Sequence, residues 1–91
     1  MTRLDLINEL LRCEDIEGLL SMGAPNDEYE SEAEMIADRV GEAEKKTTDK
    51  ITREEVENIV ATVWKEMFGL SDVLAQRRKD AFAAIAARLV P

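Results

Sequence analysis

The chain has 91 residues, 45% of them hydrophobic and 35% charged, the balance of one globular domain with a modest core and not of a disordered tail. Twelve basic against twenty acidic side chains leave a net charge of −8, which argues against nucleic acid and anionic lipid as partners, because phosphate binding needs clustered Lys and Arg. There is no histidine and one cysteine, Cys13, which excludes an internal disulfide, a zinc finger and an iron–sulfur cluster.

The charge is unevenly divided. Residues 1–44 carry 3 basic and 13 acidic side chains, and residues 45–91 carry 9 and 7. The run Met1–Glu9 sets acids inside its apolar pattern, unlike a secretory leader. No apolar run approaches the roughly 20 residues of a spanning helix. A cytoplasmic, reduced location without membrane contact is the expectation.

In chain order, Leu4, Ile7, Leu10 and Leu11 predict a helix over residues 2–12. Thr2 caps its start, and Asp5 three residues on makes a capping box that its short carboxylate leaves imperfect. Cys13 at the helix end is expected to be a small buried side chain, with no histidine to activate it. Residues 14–25 are a connection in which Ile16, Leu19 and Leu20 have the spacing of one extra helical turn. Gly23 and Pro25 stop that turn, and Ala24, before a proline, is expected to be extended.

A second helix is predicted to start on Asn26 or Asp27 as N-cap, with Glu30 three residues past Asp27. Its apolar stripe is Tyr29, Ala33, Ile36, Ala37 and Val40, about 100° wide. Beside it run Glu30, Glu34, Asp38 and Glu42 at four-residue intervals, each like-charged pair opposing the helix by a few tenths of a kcal/mol. Met35 falls outside the stripe and is expected to be exposed. Glu42 and Lys46 have the spacing of a pair that adds one turn, and Thr47 to Asp49 read as a loop.

The third helix opens on the capping box Thr52-Arg53-Glu54-Glu55, with Ile51 stapled onto Val56. Val56, Ile59, Val60, Val63, Met67 and Phe68 form its predicted buried face. Trp64 is expected at the edge with its N–H in water, and Gly69 as C-cap. A fourth helix is predicted from Ser71 onward, burying Val73, Leu74, Ala81, Phe82, Ile85, Ala86 and Leu89. Alanines at 81, 83, 84, 86 and 87 allow another helix to come close. The basic run Arg77-Arg78-Lys79 reads as a solvated face that offsets the acidic helix, too small for a nucleic-acid footprint. The resulting expectation is an all-α fold: a compact bundle of about four helices with a short extra turn after the first, one domain over residues 1–91.

A generic helical bundle does not need the stretch 23–32, Gly-Ala-Pro-Asn-Asp-Glu-Tyr-Glu-Ser-Glu. Catalysis is the weakest reading of it. No histidine is present, no Ser or Cys has a base placed for it, and Gly18 and Gly23 match neither nucleotide fingerprint. The protein is therefore read as a non-enzyme. Protein binding is the preferred reading, with Asp27, Glu28, Glu30, Glu34 and Asp38 presenting charge to a basic partner and Tyr29 as anchor or core lock; the chain itself would be a monomer or homodimer. Calcium is the alternative, and no other cofactor is implied. Calcium takes six to eight oxygens, and Asn26, Asp27, Glu28, Glu30 and Glu34 offer them beside the turn carbonyls, with Asp15 and Glu17 reaching in from the connection.

The run 18–32, Gly-Leu-Leu-Ser-Met-Gly-Ala-Pro-Asn-Asp-Glu-Tyr-Glu-Ser-Glu, resembles a signature of small bacterial helical proteins, most of them without an assigned function. That signature has a Gly-Ala-Pro-x-Asp-Glu-Tyr core followed by an acid and a helix. The cyanobacterial calcium-binding regulatory protein is similar in this stretch, and some polymorphic-toxin immunity proteins look broadly alike. Gly23, Ala24, Pro25, Asp27, Glu28 and Tyr29 match the core, and Glu30 stands where aspartate is more usual. The resemblance implies a small helical non-enzyme and makes calcium a live alternative.

Overall fold

The computed structural model describes residues 2–25, 27–48 and 50–90. Within them the chain forms α1 (Arg3–Glu14), α2 (Glu30–Lys46), α3 (Arg53–Phe68), α4 (Asp72–Arg77) and α5 (Lys79–Leu89). No strand occurs among the described residues, and no helix is long and apolar enough to cross a membrane.

Local chemistry gives α1 and α3 a capping box each. The Thr2 hydroxyl accepts from the Asp5 N–H and the Asp5 carboxylate accepts from the Thr2 N–H, both at 3.1 Å, so this capping box is complete despite its short acid. Thr52 and Glu55 repeat the arrangement at α3, and α3 ends on Gly69 with φ +62°, the left-handed conformation glycine adopts without strain. The α1 helix runs two residues past its expected end and stops at Asp15, which is itself left-handed at φ +43°. Cys13 therefore lies on the helix and is exposed, not buried.

The α2 start differs from expectation. Residues 27–29 form a turn, with the Glu30 N–H bonded to the Asp27 carbonyl at 3.0 Å, and the helix opens at Glu30 without a side-chain cap. The N-cap position belongs to Tyr29, whose ring is needed in the core, so tertiary packing overrides the capping preference of the residues before it. Asn26 lies outside the described residues. At its other end α2 continues to Lys46, and Glu42 pairs with Lys45 at 3.9 Å, not with Lys46.

The largest departure is in the last third of the chain. One helix was expected from Ser71; instead Ser71 caps the six-residue α4, Arg78 forms a joint, and α5 follows. The α4 helix buries nothing, and Val73 is 66% exposed. The buried side chains of this region are Phe82, Ile85 and Ala86 on α5.

The helices close a ring in the order α1–α2–α3–α5, each packed on the next, with α4 leaning on α3 and α5. Salt bridges tie ring neighbours at their ends and faces: Arg3 holds Glu44 at 2.6 and 2.8 Å, and Arg39 reaches Glu66 at 2.5 Å. One continuous core fills the ring: Ile7, Leu10 and Leu11 from α1, Tyr29, Ala33, Ile36 and Val40 from α2 and its N-cap, Val56, Val60, Val63 and Trp64 from α3, and the α5 trio. Ile51 and Val56 are both buried, as a staple requires, whereas Ile59 and Phe68 are half-buried and Met67 is exposed. Met35 packs half-buried against the core and is not exposed.

Candidate functional site

The distinctive stretch folds as the cover of the aromatic core. Trp64 is wholly buried, with ring centroids of Tyr29 at 5.6 Å, Phe68 at 5.0 Å and Phe82 at 6.3 Å. The expectation of an edge position with the indole N–H in water is corrected. The N–H donates to the Glu17 carboxylate at 2.8 Å, so the ring needs no water.

Two carboxylates of the α1–α2 connection hold the cover in place. Asp15 accepts from the N–H groups of Leu20 and Ser21 at 3.0 Å, and from the hydroxyls of Ser21 and Tyr29 at 2.8 Å. Desolvation works to raise this carboxyl, but those hydrogen bonds to the charged form outweigh it and bring it down to about 2. The Tyr29 oxygen in turn accepts from the N–H groups of Glu17 and Leu19 at 3.3 and 3.4 Å. Burial, then the bond to Asp15, push the phenol up to about 12.

Glu17 is the second hold. Besides the indole, it takes a two-pronged contact from Arg78, 2.5 Å to Nε and 2.9 Å to Nη2. Hydrogen bonding from Arg78 is the main reason its carboxyl lies below the usual range. Arg78 also donates to the Leu74 carbonyl at 2.9 Å, so one guanidinium caps α4, marks the joint and clasps the connection. The basic run is thus split. Arg78 serves Glu17 and not the acidic helix, while Arg77 and Lys79 are exposed.

The candidate partner-binding residues divide in the same way. Asp27, Glu28, Glu30, Glu34 and Asp38 are all exposed and form no ion pair among the described residues. Tyr29 does not join them. It is fully buried, a lock on the connection, with no ring surface open to a partner. Next to the exposed acids is one that sequence reasoning missed, Glu32. It is 6% exposed, and its Oε2 is buried without a hydrogen bond. Desolvation, with repulsion from Glu28, raises its pKa, against a hydrogen bond from its own N–H. Its place three residues after Tyr29 and four before Ile36 is the signal that would have found it.

For a cation the geometry is less favourable than the composition. Among the described residues no three carboxylate-bearing or thiol side chains gather as a metal group. Both oxygens of Asp15 and both of Glu17, the donors expected from the connection, are occupied by protein N–H and O–H groups. Comparison with protein-family models, with curated proteins and with solved structures finds no match to the chain.

Proposed function

We propose that this protein is a non-enzymatic binding protein of the regulatory or immunity type, and that the outer face of α2 with the turn before it docks a basic protein partner. The observation that carries this reading is the division of labour among the acids. Carboxylates with an internal role, such as Asp15, Glu17 and Glu44, are bonded, while Glu30, Glu34 and Asp38 stand exposed and without an ion pair among the described residues at four-residue intervals along α2, with Asp27 and Glu28 exposed in the turn before it. Like charges kept at that spacing cost the helix stability, and a complementary surface would recover it while steering encounter. Glu34 and Asp38 are the central contacts in this reading, with Glu30 and Asp27 extending them toward the turn.

The test is charge reversal, Glu34→Lys with Asp38→Lys, against the reversal Arg77→Glu on α4. Affinity capture with the wild type should retain a basic protein that the α2 variant loses and the α4 variant keeps, and its retention should weaken as salt rises. Equal retention by all three would end this reading.

A further inference from the structure

A second feature lies away from the acidic face, on the outer side of α4. This helix buries nothing, and its Val73 and Leu74 are exposed, as is Met67 in the last turn of α3 before it. Ala75 packs half-buried against the core. Val73 and Arg77, two residues to either side of it, therefore point the opposite way. Charges bound this apolar patch at both ends, with Asp72 the first residue of the helix and Arg77 the last. Asp72 holds Lys65 through Oδ1, yet its side chain remains 90% exposed and can accept a second cation. Arg77 is exposed and forms no ion pair among the described residues. Beyond it Lys79 and Asp80 are exposed and opposite in charge, and Glu54 and Glu57 line the cleft between α3 and the inner side of α4.

We propose that this face of α4 binds a second copy of the chain, the two α4 helices packing antiparallel across a two-fold axis. The order of charges along the helix selects that partner. Asp72 and Arg77 lie about 7.5 Å apart along the axis. An antiparallel copy sets the Asp72 end of one helix beside the Arg77 end of the other, so both pairs form at once while Val73 and Leu74 of the two copies cover each other. A parallel copy would bring like charges together. An interface that is its own complement closes at two subunits. The acids of α2 stay outside it, because α4 rests on α3 and α5 and has no contact with α2 among the described residues. The contact therefore leaves the acidic faces of both copies open and does not depend on their having a partner. A helix of six residues covers well under the roughly 1,200 Å² of a standard interface, so the dimer is reversible, with a dissociation constant above about 1 µM.

Sedimentation equilibrium of the full chain between about 10 µM and 1 mM tests this, in about 0.15 M salt to screen the net charge of each copy. The wild type should pass from monomer to dimer across that range and go no further. Arg77→Asp and Asp72→Arg should each weaken association at least about tenfold, because each sets like charges opposite one another. An equimolar mixture of these two variants should dimerise again, since a copy with two acids then meets a copy with two bases. Val73→Asn should weaken association by a similar factor and leave unfolding of the dilute protein unchanged. A wild type that stays monomeric throughout would overturn the proposal and leave the α4 face to a different protein. Assembly beyond the dimer, or a mixture no more associated than its components, would overturn it as well. The Arg77 and Val73 side chains are exposed, so their variants decide the matter even if Asp72→Arg, which also loses its hold on Lys65, fails to fold.

Discussion

Glu32 and Tyr29 sit three residues apart on one face, and the fold favours the protonated form of both, so each loses stability as pH rises through its own range. Glu32 is buried with one oxygen unpaired, so the charged form is disfavoured in the fold. Glu32→Gln removes that charge and keeps an amide able to bond locally. Removing the buried charge should raise stability at pH 7, seen as a higher denaturant midpoint at unchanged slope. Because the folded pKa lies above 4.5, the wild type gains stability as pH falls through that interval, and the advantage of the variant should shrink there. Tyr29 is held neutral, with its pKa raised from 10.0 to about 12. Its contribution is complete below pH 10 and is lost as pH rises through the folded value. Tyr29→Phe should cost about 1 kcal/mol at neutral pH and should flatten the alkaline limb of the stability curve. An alkaline limb identical to that of the wild type would show that the phenol is not held in this way.

At the scale of elements, the α4–α5 joint depends on one side chain. Arg78 and Glu17 are 24% and 14% exposed, close to a buried pair, and breaking such a pair by removing one partner costs about 3–5 kcal/mol, so the lower end applies here. Arg78→Met should therefore destabilise by about 3 kcal/mol. It should also change the emission of Trp64, since Glu17 would be left with the indole alone. A double-mutant cycle with Glu17→Gln should show coupling; additive losses would mean that the two side chains act independently. Val73→Asn on α4 should shift stability by less than about 0.5 kcal/mol, as surface changes do, whereas Phe82→Ala should cost about 3–5 kcal/mol. This contrast also marks what was legible beforehand. Thr2, Thr52, Ser71 and Gly69 announce their caps through local chemistry, so those boundaries could be read from sequence. The break at Arg78 has no such signature. It arises because a guanidinium must reach a glutamate 61 positions earlier in the chain, and a helical pattern through Val73 and Leu74 carries no trace of that demand. The start of α2 was misplaced for the same reason, with Tyr29 drawn inward by Asp15.

Across the whole molecule three groups of acids set the response to pH, and only the first of them can be read from the sequence pattern. The exposed stripe Glu30, Glu34, Asp38 and Glu42 was visible as a four-residue repeat beside an apolar face. That Asp15 and Glu17 hold the aromatic cover, and that Glu32 is buried, depends on which groups the fold brings near them. Together the three groups predict the shape of the acid stability curve. From pH 7 downward the net charge of −8 shrinks toward the isoelectric point near 4.5, relieving self-repulsion, and Glu32 takes up its proton in the folded state first. Both effects stabilise. Asp15 and Glu17 oppose them only later. Their folded pKa values are depressed, so their contribution is intact above the unfolded values of about 3.8 and 4.5 and is lost as pH falls through the folded ones. Stability should therefore rise from neutral pH to a maximum near pH 5 and fall steeply below about pH 4. Denaturant unfolding across this range checks the curve. In Glu32→Gln the rise should be shallower with the fall unchanged, and a wild-type curve that declines steadily from pH 7 would mean that the loss of Asp15 and Glu17 outweighs the relief from the start.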